Sequence, residues 1–190
     1  MRKIKNFKIN IRTREVSRIV RKLLNMENLP IETEEAVQKS CFLCEKVVKP
    51  AVVYDTFSRE NTIFPFENNA PEKWIALSPY ILTIGDVLQH QYEENKDIFG
   101  EHAVQIISAI AADALEQSKN FIHKLLSEDA HDENCELSRN VELPEHYNNE
   151  IIKYLPIEKI NLSLGEDGKF IPANSVAGIY YWIPLKKRKK

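Results

Sequence analysis

Apolar residues recur every three to four positions in three long segments, a spacing that predicts amphipathic helices. The first helix is predicted to start at a Thr13 cap, and the second to start near Thr33 and end before Pro50. The third covers residues 102–126, and its centre, residues 109–114, consists mostly of small side chains. Because small side chains let a neighbouring backbone approach closely, this helix is predicted to lie in the middle of the domain.

Shorter segments between the helices are rich in β-branched and aromatic residues or alternate between apolar and polar positions. They predict strands at residues 4–11, 51–57, 61–66, 73–82, 160–164 and 175–183. Pro144 is expected to start a further helix that runs to Leu155, whereas residues 130–142 have no period and predict a polar loop. Because helices and strands mix without a βαβ rhythm, the predicted fold class is α+β, a mainly antiparallel sheet with packed helices.

Length and composition are those of one ordinary globular domain, with 190 residues, 43% hydrophobic and 28% charged. The domain is predicted over residues 1–185, followed by a basic tail at residues 186–190. The net charge of −2 selects neither nucleic acid nor membrane as a partner. Charge is unevenly distributed: the first 22 residues hold nine Lys/Arg and one Glu, whereas residues 128–150 hold eight Asp/Glu and one Arg. Because no aromatic platform accompanies the basic residues, solvated termini are favoured over a nucleic-acid site.

The sequence also bears on the expected compartment. No apolar run approaches the roughly 18 residues that span a bilayer, and the basic N-terminus lacks the apolar core of a signal peptide. Three cysteines, an odd number, favour a reducing compartment over a disulfide framework. We therefore expect a cytoplasmic protein without a membrane partner.

Cys41 and Cys44 form a Cys-x-x-Cys pair inside the second predicted helix, on its apolar face. A zinc site that adds His131 and Cys135 is the alternative to two small core side chains. The spacing matches no common zinc finger, so the core interpretation is favoured and no metal is assigned. None of the five histidines is paired with a nucleophile at a spacing that identifies one, and catalytic residues stay unassigned.

The most informative segment is residues 172–182, in which a proline-bounded bend leads into an aromatic strand. Gly178 within a strand indicates a bulge or a close approach by a ligand or another backbone. Ser175 offers a donor and an acceptor, and Tyr180 offers a flat face with a polar tip. On these residues alone, an edge strand that closes the core is favoured over a binding site.

The same segment resembles a motif of a known family. Its Pro-x-x-Ser-Val-x-Gly-x-Tyr, formed by Pro172, Ser175, Val176, Gly178 and Tyr180, is similar to the Pro-x-x-Ser-Val-Ser-Gly-x-Tyr of the activation domain of cobalamin-dependent methionine synthase and its free-standing relatives. Residues 109–116, 74–85 and 49–54 resemble further stretches of that family in the same order. The resemblance extends over about residues 13–183.

The resemblance implies a function and a set of ligand-binding residues. An activation domain docks on a corrinoid-binding protein and presents S-adenosylmethionine to its cobalt, so cobalamin is expected only through that partner. Pro172, Ser175, Val176, Gly178 and Tyr180 are the implied ligand-binding residues, whereas Glu116 is expected to be structural. Whether the chain is itself an enzyme is left open; it is at least associated with a methyltransferase.

One departure from the family pattern supports an alternative function. The family carries Arg-x-x-Pro-Gly-Tyr shortly before the proline-started helix, in a loop that helps to hold S-adenosylmethionine. This chain has Cys-Glu-Leu-Ser-Arg-Asn at residues 135–140, without that motif. The alternative is therefore a protein-binding module that keeps the fold and has lost the ligand.

Overall fold

A computed structural model describes residues 1–61 and 70–185, which contain both α-helices and β-strands. The helices are α1 (Thr13–Leu23), α2 (Ile31–Val47), α3 (Val87–Glu94), α4 (Lys96–Phe99), α5 (Ala103–Asp132) and α6 (Asn148–Ile151). The strands are β1 (Arg2–Lys5), β2 (Ala51–Tyr54), β3 (Phe57–Ser58), β4 (Ala76–Thr83), β5 (Cys135–Leu137), β6 (Val141–Glu142), β7 (Ser163–Leu164), β8 (Phe170–Ile171) and β9 (Ser175–Pro184). The α+β prediction is confirmed. The basic tail and nearly all of the predicted strand at 61–66 lie outside the described residues.

One antiparallel sheet organises the fold, with the strand order β1-β2-β4-β9-β5. β3 pairs with β4, and β6 pairs with β9, so each continues the sheet beside a longer strand. β4 and β9 are paired from Ala76↔Trp182 to Thr83↔Ser175. β9 therefore lies inside the sheet, between β4 on one side and β5 and β6 on the other. The interpretation of residues 175–183 as an edge strand is wrong, because β5 and β6 pair with the side of β9 that does not face β4.

Both faces of the sheet are covered, which explains why β4 is apolar along nearly its whole length. Tyr80 and Leu82 face α5, where they pack with Ile122 and Leu126. Leu77 and Ile81 face the opposite way, into a cluster formed largely by residues 143–170. A strand covered on both faces loses the alternation that a half-exposed strand shows.

A second core joins α1, α2, α3 and α4 to the first half of α5. Ala109 and Ala114 are fully buried there, which confirms the predicted central position of the small-residue segment. Cys41 and Cys44 belong to the same core, and the exposed fractions of their side chains are 2% and 0%. Burial raises the pKa of the Cys41 thiol to about 11 and that of Cys44 to about 12. Both thiols therefore serve as small core side chains.

The start of α1 differs from the sequence expectation. Thr13 was predicted to cap this helix, but the N-cap residue is Arg12, and no side-chain hydrogen bond of its own caps the helix. The backbone N–H of Arg12 instead donates to Asp113 Oδ2 on α5 at 2.7 Å, and its guanidinium donates to Asp113 Oδ1 at 2.6 and 2.9 Å. A buried carboxylate from another helix thus accepts a backbone N–H at the start of α1, where a local capping side chain was expected.

Three predicted boundaries are also corrected. β1 ends at Lys5, where Asn6 adopts a left-handed φ of 56°, and the apolar residues that follow pack into the helical core rather than continuing a strand. The predicted loop at 130–142 contains the end of α5 and both β5 and β6. The predicted helix from Pro144 is a 3-10 turn, Glu145–Tyr147, followed by the single turn of α6.

Within residues 1–61 and 70–185, no helix combines the length and the apolar character that crossing a membrane requires.

Candidate functional site

A surface cleft of about 300 Å³ lies where α5 passes the connection between β5 and β6. It is lined by Glu116, Lys119, Asn120, His123, Arg139, Asn140 and Tyr180. The first four residues come from α5, two come from the β5–β6 connection, and Tyr180 comes from β9. Three elements distant in sequence therefore meet at this point.

Tyr180 forms the floor of the cleft. Only 2% of its surface is exposed, and its ring stacks on Tyr80 with centroids 5.6 Å apart and planes 24° apart. The His123 ring approaches from α5 at a centroid distance of 5.3 Å. Burial, and then the nearby Glu116 carboxylate, raise the pKa of the Tyr180 phenol, so its hydroxyl stays protonated and can donate a hydrogen bond.

The β5–β6 connection is held in place by hydrogen bonds to β9. Ser138 Oγ accepts the backbone N–H of Tyr181 at 3.0 Å and donates to the Arg139 carbonyl at 2.8 Å. Asn140 is fixed by a hydrogen bond to β4, because Tyr80 Oη donates to Asn140 Oδ1 at 3.0 Å. Arg139 is thus presented to solvent between two anchored residues, and its guanidinium lies at the rim of the cleft.

Charges of both signs border the cleft. Lys119 Nζ lies 3.4 Å from Glu116 Oε2 and 3.1 Å from Glu142 Oε2. The Lys119 ammonium therefore forms ion pairs with two carboxylates, and the guanidinium of Arg139 provides a separate positive charge. A surface of this composition suits a ligand that carries both charge signs. The described residues at the cleft do not include a nucleophile paired with a base.

Of the five ligand-binding residues predicted from the motif, four lie on β9 and Pro172 precedes that strand, and the five do not share this cleft. Tyr180 lines it. Pro172 lines another depression, beside Thr83 and Gly85. Ser175 lies near the same end of β9, where its hydroxyl donates to the Pro172 carbonyl at 2.7 Å and lies 2.8 Å from Thr83 Oγ1. Tyr180 lies five positions after Ser175 on β9, which separates the two residues by about 16 Å along the strand.

Val176 and Gly178 face α5 together with Tyr180. Val176 packs at the margin of the cluster that includes Tyr180 and Leu82. A β-carbon added at Gly178 would lie 2.6–2.7 Å from Oη, Cε1 and Cζ of Tyr80. The sequence predicted a bulge or a close approach by a ligand or another backbone at Gly178, whereas the close contact is made by the side-chain ring of Tyr80 on β4. Ligand contact by these motif residues stays a prediction.

The structure separates the residues of the alternative zinc site. Cys41 and Cys44 lie in the helical core, whereas Cys135 packs with Ala130 and Trp182 at the end of the sheet. In the part of the chain that the structure describes, no group of three or more potential ligands is placed to hold a metal ion.

Several residues of the cleft were not singled out from sequence as binding residues. Asn120, His123 and Arg139 converge only through packing, and each is an ordinary surface residue by its local pattern. Glu116 was expected to be structural, yet it lines the cleft. One signal was available in its spacing from Asn120 and His123. Residues 116, 120 and 123 follow at intervals of four and three, which places them on one face of a helix.

Comparison with known proteins gives a match in structure but not in sequence. No family model matches the sequence, and no curated protein matches it. The solved structure of the MetH reactivation domain bound to AdoHcy matches with a TM-score of 0.61, over 100% of this chain and 81% of that chain, at 13% sequence identity. The chain has an activation-domain-like fold, which confirms the fold that the resemblance implied.

Proposed function

We propose that this chain is a reactivation-type accessory domain of a corrinoid-dependent methyltransferase system. It docks on a corrinoid-binding protein in the cytoplasm and holds S-adenosylmethionine in the cleft above Tyr180. Two independent findings support the proposal, the resemblance of the Pro172–Tyr180 motif and a fold like that of the MetH reactivation domain, which was solved with AdoHcy. The observation that carries it is the position of Tyr180, the last residue of the motif, on the floor of a cleft.

The chemistry of the proposal needs positioning rather than acid–base catalysis. The partner's reduced cobalt would supply the electron pair that takes the sulfonium methyl group, with S-adenosylhomocysteine as the product that leaves. The residues of this chain would need only to hold and orient the ligand. The carboxylates of Glu116 and Glu142 favour the sulfonium charge, and the guanidinium of Arg139 is available to the ligand carboxylate. Tyr180, whose ring is buried, supplies a hydroxyl that stays protonated and can donate a hydrogen bond to the ligand.

A second candidate function has its own support. Arg139 and Asn140 stand where the family carries its ligand-binding loop, and the side-chain oxygen Oδ1 of Asn140 already accepts a hydrogen bond from Tyr80. The second candidate is a protein-binding module that docks on the corrinoid protein without S-adenosylmethionine.

Methyl transfer to cobalt tests the first function. The chain is mixed with a cobalamin-loaded corrinoid-binding domain, a chemical reductant and S-adenosylmethionine labelled in its methyl group. We expect label on cobalt to accumulate faster with the chain than without it, and the Arg139→Ala variant to lose most of this gain. Binding to the corrinoid domain without any gain in labelling would contradict the first function and favour the second.

A further inference from the structure

A groove of about 690 Å³ runs between α1 and α2, on a surface that shares no lining residue with the candidate ligand cleft. It is lined by Arg12, Thr13, Arg14, Glu15, Ser17, Arg18, Arg21, Asn28, Leu29, Glu34 and Gln38. Four arginines therefore face two glutamates. These arginines are four of the nine Lys/Arg among the first 22 residues.

Three of these arginines form a stripe along α1. Arg14, Arg18 and Arg21 are spaced at i, i+4 and i+7, which puts them on one face of the helix. At 1.5 Å per residue the stripe is about 10 Å long, or two helical turns. All three side chains are exposed.

The arginines of the groove differ in how far their charge is already paired. Arg12 is bound to Asp113, and Arg18 is bound to Glu15 at 2.6 Å. The guanidinium groups of Arg14 and Arg21 have no hydrogen-bond or ion-pair partner among residues 1–61 and 70–185. Two exposed guanidinium groups, carried by positions about 10 Å apart along the helix axis, thus leave the stripe with charge that no described carboxylate neutralises.

We infer that this arginine groove docks an acidic α-helical segment of a partner protein. A facing helix that repeats carboxylates at i, i+4 and i+7 matches the arginine stripe in spacing and in charge. The groove lies between two helices, so a third helix can seat at the usual interaxial distance of about 8–10 Å. None of the described residues that line the groove is aromatic, which disfavours a single-stranded nucleic acid because its bases would have no ring on which to stack.

The arginine groove also lies within reach of the candidate cleft. A shallow depression between them shares Arg12 and Glu15 with the groove, and Glu116 and Asn120 with the cleft. A protein seated in the groove is therefore a neighbour of whatever occupies the cleft. The docking proposal itself does not depend on ligand binding in the cleft.

A synthetic peptide tests the docking proposal directly. The probe is a fluorescent alanine-based helical peptide with glutamates at i, i+4, i+7 and i+11 on one face. The control peptide has the same composition with its glutamates spread around the helix. We expect the full chain to bind the one-faced peptide at low salt, with an affinity that falls as salt rises. We expect the double variant Arg14→Glu/Arg21→Glu to weaken binding at least about tenfold.

A matched variant separates the groove from overall charge. Lys124→Glu/Lys153→Glu changes the net charge equally but lies outside the groove, and it should keep the wild-type affinity. Circular dichroism checks that both variants fold. Both variants should bind S-adenosylmethionine with the same affinity. Loss of peptide binding in the groove is therefore distinguished from loss of ligand binding in the cleft. No binding of the one-faced peptide, equal binding of both peptides, or equal losses in both double variants would overturn the proposal.

Discussion

The ring of Tyr80 on β4 lies directly over the backbone of Gly178 on β9. The two residues are partners in the strand register, and a β-carbon at residue 178 would lie 2.6 Å from Tyr80 Oη. The Tyr80 ring also stacks on the ring of Tyr180, and the Tyr80 hydroxyl donates a hydrogen bond to Asn140 in the β5–β6 connection. The absence of a side chain at Gly178 therefore allows Tyr80 to join the floor of the cleft to its rim.

Gly178→Ala should destabilise the fold because Tyr80 must shift to admit the new methyl group. Overpacking of a core costs about 1–3 kcal/mol, and we expect the free energy of unfolding, measured with urea, to fall by this amount. In a background of Tyr80→Leu, which removes the ring, the same substitution should cost much less. An equal cost in both backgrounds would show that the ring is not what Gly178 accommodates.

Asp113→Ala should cost about 2–4 kcal/mol of unfolding free energy, because it removes a buried carboxylate that accepts three hydrogen bonds from Arg12. The comparison is Arg2→Ala, which breaks an exposed ion pair with Asp129 and should cost less than about 1 kcal/mol. Urea unfolding of the two variants measures the difference. Similar costs would contradict the role of Asp113 as a cap for α1.

The buried thiols predict a loss of stability at alkaline pH. Below pH 9.0, the ordinary pKa of the thiol, Cys41 and Cys44 are protonated in both the folded and the unfolded chain. Their contribution to the free energy of unfolding is then fully present. As pH rises from 9 toward 11, the unfolded chain loses these protons while the folded chain keeps them, so the free energy of unfolding falls. With the pKa of Cys41 raised to about 11, this thiol alone should account for about 2–3 kcal/mol.

The double variant Cys41→Ala/Cys44→Ala isolates this effect. Its free energy of unfolding should fall less steeply between pH 9 and 11, since the buried tyrosines that titrate at still higher pH are present in both proteins. Parallel pH profiles would refute the assignment to the thiols.

The sequence predicted the elements that contain enough apolar residues to show a pattern without reference to their neighbours in the fold. α1, α2, α5 and β9 each carry several buried residues in register, so their patterns were clear. β5 and β6 have three and two residues and exist because they pair with β9, which no local pattern expresses. The capping of α1 was missed for a related reason, since Asp113 lies 101 residues from Arg12.

The candidate site was partly predictable in the same way. The motif led to Tyr180 because its residues are contiguous in sequence. Arg139 and His123 could not be assigned, because their proximity to Tyr180 arises from the packing of α5 and the β5–β6 connection against β9. Ser175 shows the converse limit, since its place in the motif did not place it at the cleft.

The central claim is that the cleft above Tyr180 binds S-adenosylmethionine, and calorimetric titration of this ligand tests it most directly. Arg139→Ala is the informative variant because this exposed side chain lies at the rim, and its removal should weaken binding about tenfold. Lys153→Ala, a surface change outside the cleft, is the control and should bind like the wild type. Saturable binding with this order of affinities is the predicted result. No heat of binding up to millimolar ligand, or equal affinities for both variants, would contradict the account.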